Sequence, residues 1–573
     1  MCCFLALVAC AGLADGGTQL PPELETREAR SDYGMVATGS PEATMAGVEI
    51  LERGGNAVDA AVAAALVLGV SDSDASGIGG MTYMLVRFAD GRTVAIDGSA
   101  RAPMTVDMAK LREMKREGRN YGYETVATPT TLATLEHARS RFGTMPLAEL
   151  LRPAIEVAEK GYRLSEVQIT WTRKYYDNIL AASVFMPFLA MVDGRTIGEA
   201  GDLHCQPQLA TTLRRIAAGG ARSFYLGPIA DEIEADMVAN GGFLRKVDLA
   251  LTRVREVPPL RETYRGLEVL TFPPPGGGAT VAAALNLLET FPGRFLAQDT
   301  IARHQTLIEA FRIAAADGAA AGAPVGVGWM GGEGSGKEDA RRRAAMIQPG
   351  EIISRAELWP RLDPECQKEG ESTTHVSVAD QFGNVVALTQ TLSRSFGAKV
   401  ATPGLGFCYN SLLESFNVDK PQCPGYLQPR QVCSNDMAPT IVLENGRLLA
   451  AFGTPGSSRI ASITATIVSN LVDREMGLAE AVAAPRILWG GTNNRRVSIE
   501  VVEPFTEDDV AALEATGYEG MTALRFPAPA DDTAVNFGGV NIVGYDASVG
   551  AYVGVVDPRR GGLAEGPRVV APR

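Results

Sequence analysis

The stretch Thr373–Ser393, TTHVSVADQFGNVVALTQTLS, sets two β-branched runs on either side of the turn-prone residues Asp380 to Asn384. This is the pattern of a β-hairpin closed by a five-residue loop. Centring the loop on Phe382 puts Ala379 opposite Val385 and Thr373 opposite Thr391. Directly opposed residues carry Cβ atoms roughly 4.5 to 5.5 Å apart, near enough for two hydroxyls to hydrogen-bond. A Thr–Thr pair is by itself an ordinary sheet contact, so a chemical reading needs more around it.

Downstream, Thr440 to Leu443 and Leu448 to Phe452 read as further strands, and Arg459 to Val472 as a helix. The join between them, FGTPGSSR at Phe452 to Arg459, gathers free backbone N–H groups at a helix N-terminus. Fixed donors at the positive end of a helix dipole suit an oxyanion; a capped strand-to-helix turn is the plainer alternative. Upstream, Pro41 to Val70 reads as two helices broken at Gly54-Gly55-Asn56, and the Ala/Val-rich second half implies a buried helix. A glycine loop at Asp74 to Gly80 leads into strands Tyr83 to Phe88 and Thr93 to Asp97. Helical periodicity dominates from Leu132 to Lys160 and from Leu209 to Asn240. Runs of strand with helices around them predict stacked layers of sheet and helix.

The whole chain has 573 residues, 46% of them hydrophobic and 21% charged, a composition that supports a large core. A net charge of -14 argues against unaided binding to nucleic acid or an anionic membrane, which needs clustered Lys and Arg. A small-molecule or peptide substrate is the better expectation. Met1 to Leu13, MCCFLALVACAGL, is apolar and uncharged, too short to span a membrane and similar to the core of a secretion signal. Leu7 to Cys10 resembles a lipobox that lacks its basic flank, so the chain is expected to be exported: periplasmic, secreted or lipid-anchored.

The eight cysteines include no CxxC pair and the four histidines are scattered, so neither a zinc cage nor a disulfide-built fold is expected. Cys423 and Cys433 flank a short loop that oxidising conditions could close; two buried thiols are the alternative. Gly326 to Lys337 reads as a flexible linker. Within it Gly331, Gly336 and Lys337 fit part of a phosphate loop, but Glu338 stands where a hydroxyl is required, which argues against nucleotide binding. No cofactor and no metal is expected.

A hydroxyl nucleophile needs a base. No Ser-His-Asp order and no GxSxG elbow is evident. The remaining solution is the α-amine of a threonine made N-terminal by cleavage, whose pKa of about 8 can be poised near neutrality. Such a chain must cut itself, and a β-hydroxyl beside a strained peptide bond can do so by an N-to-O acyl shift.

The run Thr373-Thr374-His375-Val376-Ser377-Val378-Ala379-Asp380 resembles the signature that opens the small subunit of γ-glutamyltranspeptidases. Gly54 to Ala61, Pro153 to Glu156, Tyr264-Arg265-Gly266 and Asp557-Pro558-Arg559 agree, so the resemblance spans most of the chain. It implies an α+β fold, the four-layer αββα sandwich of N-terminal-nucleophile hydrolases. It implies a leader at 1–16, a large subunit at 17–372 and a small one at 373–573, both from one precursor and intertwined in one domain, with cleavage between Ser372 and Thr373. Thr373 would be nucleophile and, through its amine, base; Thr391 would orient its hydroxyl; Gly456 and Ser457 would supply the oxyanion-hole N–H groups.

The substrate clamp departs from the family pattern. Asp97 is followed by Gly98-Ser99, and the nearest arginine is Arg101, where the family has an Arg two residues after the Asp. Ser393 stands in place of an amide, Glu414-Ser415 in place of an acidic pair, and Asn435-Asp436 in place of two serines. The groups kept do not read the acyl group, whereas nearly every altered one does; the exception is Ser457, which stands where the family has the second glycine of the oxyanion pair. The expected activity is amide hydrolysis or acyl transfer on a γ-glutamyl amide such as glutathione, or on another acyl amide of the cephalosporin-acylase or oxamate type. An unprocessed, non-catalytic binding protein on the same fold is the alternative.

Overall fold

The computed structural model describes residues 27–182, 197–298, 300–320, 335–358, 372–421, 425–489, 496–501, 506–525 and 537–569. The expected leader, Cys423 and most of the expected linker lie outside these residues. The linker's end does not stay extended: Ser335–Ala344 is helical, and Lys337 Nζ meets the Glu289 carboxylate and the Thr263 carbonyl. That lysine is spent on a helix-to-strand contact rather than on phosphate.

Fourteen strands make two seven-stranded sheets. In chain order they are β1 (Arg27–Ser31), β2 (Gly34–Thr38), β3 (Met81–Arg87), β4 (Thr93–Gly98), β5 (Arg255–Val257), β6 (Leu260–Tyr264), β7 (Leu267–Thr271), β8 (Ser372–Asp380), β9 (Val385–Ser393), β10 (Thr440–Glu444), β11 (Arg447–Gly453), β12 (Asn541–Asp546), β13 (Ala551–Val556) and β14 (Leu563–Glu565). One sheet runs β14-β2-β8-β9-β3-β4-β5, the other β1-β13-β12-β11-β10-β7-β6, every neighbour antiparallel. Strands from before and after Ser372 are mixed in both.

Side-chain alternation makes the layers. Along β8 and β9, Val376, Val378, Val386 and Leu388 face a core shared with helices α1 (Pro41–Glu52), α2 (Ala57–Ser71) and α3 (Leu147–Lys160). The intervening Ala379, Val385 and Ala387 face the second sheet, whose outer side packs on α4 (Gly278–Leu288), α5 (Ile301–Ala320) and α6 (Ile460–Val472). A strand buried on both faces carries apolar residues at consecutive positions, as β9 does. The result is the expected αββα sandwich.

Helix α2 is buried at 14 of its 15 residues, the all-round burial that its Ala/Val composition implied. At 1.5 Å per residue it is about 22 Å long, close to the roughly 20 Å of strand from Thr374 to Asp380. Both ends are tied to that strand. Asp380 Oδ2 accepts from the Ala57 N–H at 3.0 Å; at the other end Asp72, the C-cap of α2, bonds the Thr374 side chain. Asp380 Oδ1 also closes the hairpin loop, accepting from the Phe382 and Asn384 N–H groups at 2.9 Å each.

Candidate active site

The hairpin has the expected register from Ala379–Val385 to Thr374–Gln390, then shifts by one residue so that Ser372 pairs with Ser393. The irregularity falls on Thr373. Its Oγ1 donates to Thr391 Oγ1 at 3.2 Å, and Thr391 Oγ1 also accepts from the Ser393 N–H at 2.9 Å. Ser393 is held at φ 82°, a left-handed conformation unusual for a non-glycine residue, as the chain turns away from the strand.

A polar strip continues from this pair between the sheets. His375 Nδ1 meets Thr389 Oγ1 at 2.8 Å and His375 Nε2 meets Ser377 Oγ at 3.0 Å, while Ser377 Oγ donates to the Asn541 carbonyl at 3.0 Å. A Cβ on Gly453 would collide with the His375 ring, which explains a glycine at the end of β11. Full burial drives the His375 pKa down to about 3, so the ring stays neutral and serves as a hydrogen-bonding spacer.

Beyond Gly453 the chain turns at Gly456, φ 147°, and Ser457, φ 57°, before a short 3-10 turn and α6. Among the described residues nothing accepts from the N–H groups of Gly456 or Ser457, and the Ser457 and Ser458 hydroxyls are buried without partners. Serine in the left-handed region costs on the order of 1–2 kcal/mol. The turn therefore holds a strained conformation with unused donors, the combination found where backbone is shaped for a ligand.

Thr373 opens onto a cavity of about 260 Å³, lined also by Glu42, Asp72, Asp74, Arg163, Thr374, Pro455 and Arg560. None of the five charged groups, Glu42, Asp72, Asp74, Arg163 and Arg560, was anticipated as functional. Asp74 lies at 3% exposure, and burial pushes both aspartate pKa values up, Asp72 to about 6 and Asp74 to about 8. Arg560 opposes that shift. It is set in place by the buried ion network that follows Asp557: Arg486 to Asp557 at 2.7 Å, Arg559 to Asp557 at 3.0 Å and Arg559 to Glu500 at 2.5 Å. One signal could have flagged the pair. Two carboxylates follow the C-terminus of an apolar helix, where the dipole disfavours them and no local Lys or Arg compensates.

The expected acyl-reading residues do not share that cavity. Arg101 lies in a separate recess with Ser99, Thr128, Asp248, Arg253 and Arg430, where its Nη1 donates to the Arg430 carbonyl at 3.2 Å. The Asp97 carboxylate is taken by Arg255 (Nε at 3.0 Å) and by Ser99. Glu414 is buried against Arg394, Oε1 to Nε at 2.9 Å, a partner that sequence reasoning passed over. Asn435 turns inward to cap the Met437 N–H at 2.9 Å, and Asp436 is exposed.

A family model described as Gamma-glutamyltranspeptidase matches residues 43–566. A glutathione hydrolase proenzyme of Pseudomonas sp. (strain A14) is 33% identical over 564 residues, covering 94% of each chain. An acylase ACY 1 proenzyme of Pseudomonas sp. (strain V22) is 35% identical over 527 residues, 88% of this chain and 91% of the relative. The crystal structure of a cephalosporin acylase from Bacillus halodurans has a TM-score of 0.81 at 28% identity, covering 97% of this chain and 99% of that one. Sandwich and neighbours define an enzyme of the N-terminal-nucleophile hydrolase class. Within it, the chain belongs to the gamma-glutamyltranspeptidase family, and its chemistry is that of an amidohydrolase or transpeptidase.

Proposed function

We propose that the chain is a precursor that cleaves its own Ser372–Thr373 bond and then works as a threonine amidohydrolase or acyltransferase through an acyl-enzyme on Thr373. The observation that carries this reading is the Thr373–Thr391 hydroxyl pair at a register shift, opening on a cavity. In the self-cleavage step, Thr373 Oγ1 attacks the Ser372 carbonyl carbon, the C–N bond breaks as the nitrogen takes a proton, and water hydrolyses the resulting ester. The freed amine then serves as base for the hydroxyl of the same residue.

In turnover, the amine takes the Oγ1 proton as Oγ1 attacks the substrate carbonyl, and Thr391 holds the hydroxyl in line. The N–H groups of Gly456 and Ser457 receive the oxyanion. The leaving amine departs with the proton, and water or an acceptor amine releases the acyl group. The proenzyme names of the two relatives support a processed precursor, here a large subunit at 17–372 and a small one at 373–573. Export, read from Met1 to Leu13, fits the same proposal.

The acyl group is a γ-glutamyl or related amide acyl. The Arg394–Glu414 pair, with Arg101 held apart in its own recess, supports a clamp built differently from the γ-glutamyl pattern. A panel of acyl p-nitroanilides, γ-glutamyl and dicarboxylic monoacyl among them, tests this on purified protein. Turnover of at least one by a two-fragment protein is expected. An intact chain that turns over none would overturn the reading.

A further inference from the structure

The turn after α2 touches both threonine-bearing strands, one residue beyond each threonine. On one side the Asp72 carboxyl bonds the Thr374 side chain; a Cβ placed on Gly39 would lie 3.2 Å from Thr374 Oγ1 and 3.6 Å from Asp72 Oδ2, so the three meet at one point. On the other side the Ala75 carbonyl accepts from the Leu392 N–H at 3.1 Å, and the Asp74 carbonyl from the Phe396 N–H at 2.7 Å. The hairpin's own ladder is irregular here, so the pairing of Thr373 with Thr391 is bridged from outside the hairpin. Helix α2, anchored at its far end by Asp380, sets the depth of that bridge.

We propose that Asp72 is a positioning residue for the Thr373–Thr391 pair: backed by Asp74 and Arg560, its carboxyl holds Thr374 and, through the turn that also holds Leu392, fixes the separation of the two hydroxyls. The inference rests on the reading of Thr373 as nucleophile. Asp72 touches no reacting atom. It acts through the strand position of the neighbouring residue, and through charge on a cavity that Thr373 shares.

The second effect gives the inference its signature. The groups facing the carboxyl pair are Arg560 from the C-terminal segment, Tyr162 and Arg163 from the segment after α3, Glu42 from α1 and Thr374 from β8, with Asp557 and Arg459 acting on Arg560. Burial makes the pair give up its protons near neutrality rather than in acid. A pair that carries negative charge beside a Thr373 α-amine favours the ammonium form, which cannot act as base.

The test is the pH dependence of kcat and KM for Asp72→Asn, Thr374→Val and Thr374→Ser beside the parent and Thr373→Ala, all processed protein where processing occurs. Asp72→Asn is expected to lower kcat about tenfold to a hundredfold with KM unchanged, because a displaced nucleophile costs on that order. Its acid limb should move to lower pH by about one unit, the direction set by losing an anion beside the amine. Thr374→Val should lower kcat similarly, and Thr374→Ser should recover it. An acid limb that stays in place in Asp72→Asn, or kcat within twofold of the parent in both Asp72→Asn and Thr374→Val, overturns the inference. If Asp72→Asn does not fold, the Thr374 pair of variants decides by the same kcat criterion. Activity in Thr373→Ala sinks the nucleophile reading itself; an inactive Thr373→Ala beside parent-like Asp72→Asn sinks only the positioning role.

Discussion

The two ends of the proposed substrate machinery are built by different means. At the hairpin, Thr373, Thr391, Gly456 and Ser457 are positioned by backbone: strand register, a one-residue shift and a strained turn. In the region expected to read the acyl group, Arg101, Glu414 and Asn435 are positioned by side-chain reach, and their partners divide them: Arg430, Arg394 and Met437. Backbone-set chemistry follows from local pattern. Side-chain-set specificity depends on which distant partner wins each long side chain, and a change at one position redistributes the rest.

The sharpest way to break this contrast is Thr373→Ala. Under the proposed mechanism one hydroxyl serves both self-cleavage and turnover, so the variant is expected to run as a single band on a denaturing gel and to lose all measurable activity. Normal fragments in it would remove the mechanism. Thr391→Ala removes the orienting hydrogen bond together with the acceptor for the Ser393 N–H. It should fold, process slowly and turn over about tenfold to a hundredfold less well, and an unchanged rate would mean the 3.2 Å contact does not matter.

The acyl side is tested by a pair of variants. Glu414→Gln leaves the Arg394 guanidinium without its buried carboxylate, and a broken charge-assisted bond is worth about 1.5 to 3 kcal/mol. The expected result is KM changed by about tenfold or more. Arg101→Ala, in its separate recess, should change KM by about twofold at most. The reverse ranking would return Arg101 to the clamp.

The smallest effect is on stability against pH. His375 is depressed by burial, so the unfolded chain binds a proton below about 6.5 that the native chain refuses, and stability falls as pH drops from there towards 3. The aspartate pair is raised, so the native chain keeps protons that the unfolded chain sheds above about 4. That contribution is full in acid and is lost as pH rises through 6 to 8. From these groups together stability is expected to be greatest near pH 4 and to fall as pH rises towards 8, two raised aspartates outweighing one depressed histidine, and Asp74→Asn should flatten that fall. A Tm that climbs steadily from pH 6 to 9 in the parent would show that the pair is ionised throughout.

The sandwich was legible because its strands alternate with period two and its helices are punctuated: Gly54-Gly55-Asn56 ends α1 and caps α2, and Asp380 to Asn384 closes the hairpin. The approach of Thr373 to Thr391 followed from that loop alone, whereas the one-residue shift at Thr373 did not. What stayed hidden were contacts across hundreds of residues. Asp72 and Asp74 sat at the edge of what read as a glycine loop, about 300 positions from Thr374, and Arg394 followed Ser393 without a local sign that Glu414 would claim it. Such pairings are properties of the packed layers, and no periodicity announces them.

The mixing of early and late strands in both sheets has a mechanical consequence. A chain nicked between Ser372 and Thr373 is still joined across five antiparallel ladders, β1 to β13, β2 to β8, β3 to β9, β7 to β10 and β2 to β14. Neither piece holds a complete sheet, and separating the two breaks ladders in both sheets. The covalent link is therefore needed to assemble the molecule once and not to keep it whole. Fragments separated in denaturant and remixed should recover far less activity than an unprocessed chain refolded intact, because the second assembly lacks the tether that first brought the strands side by side.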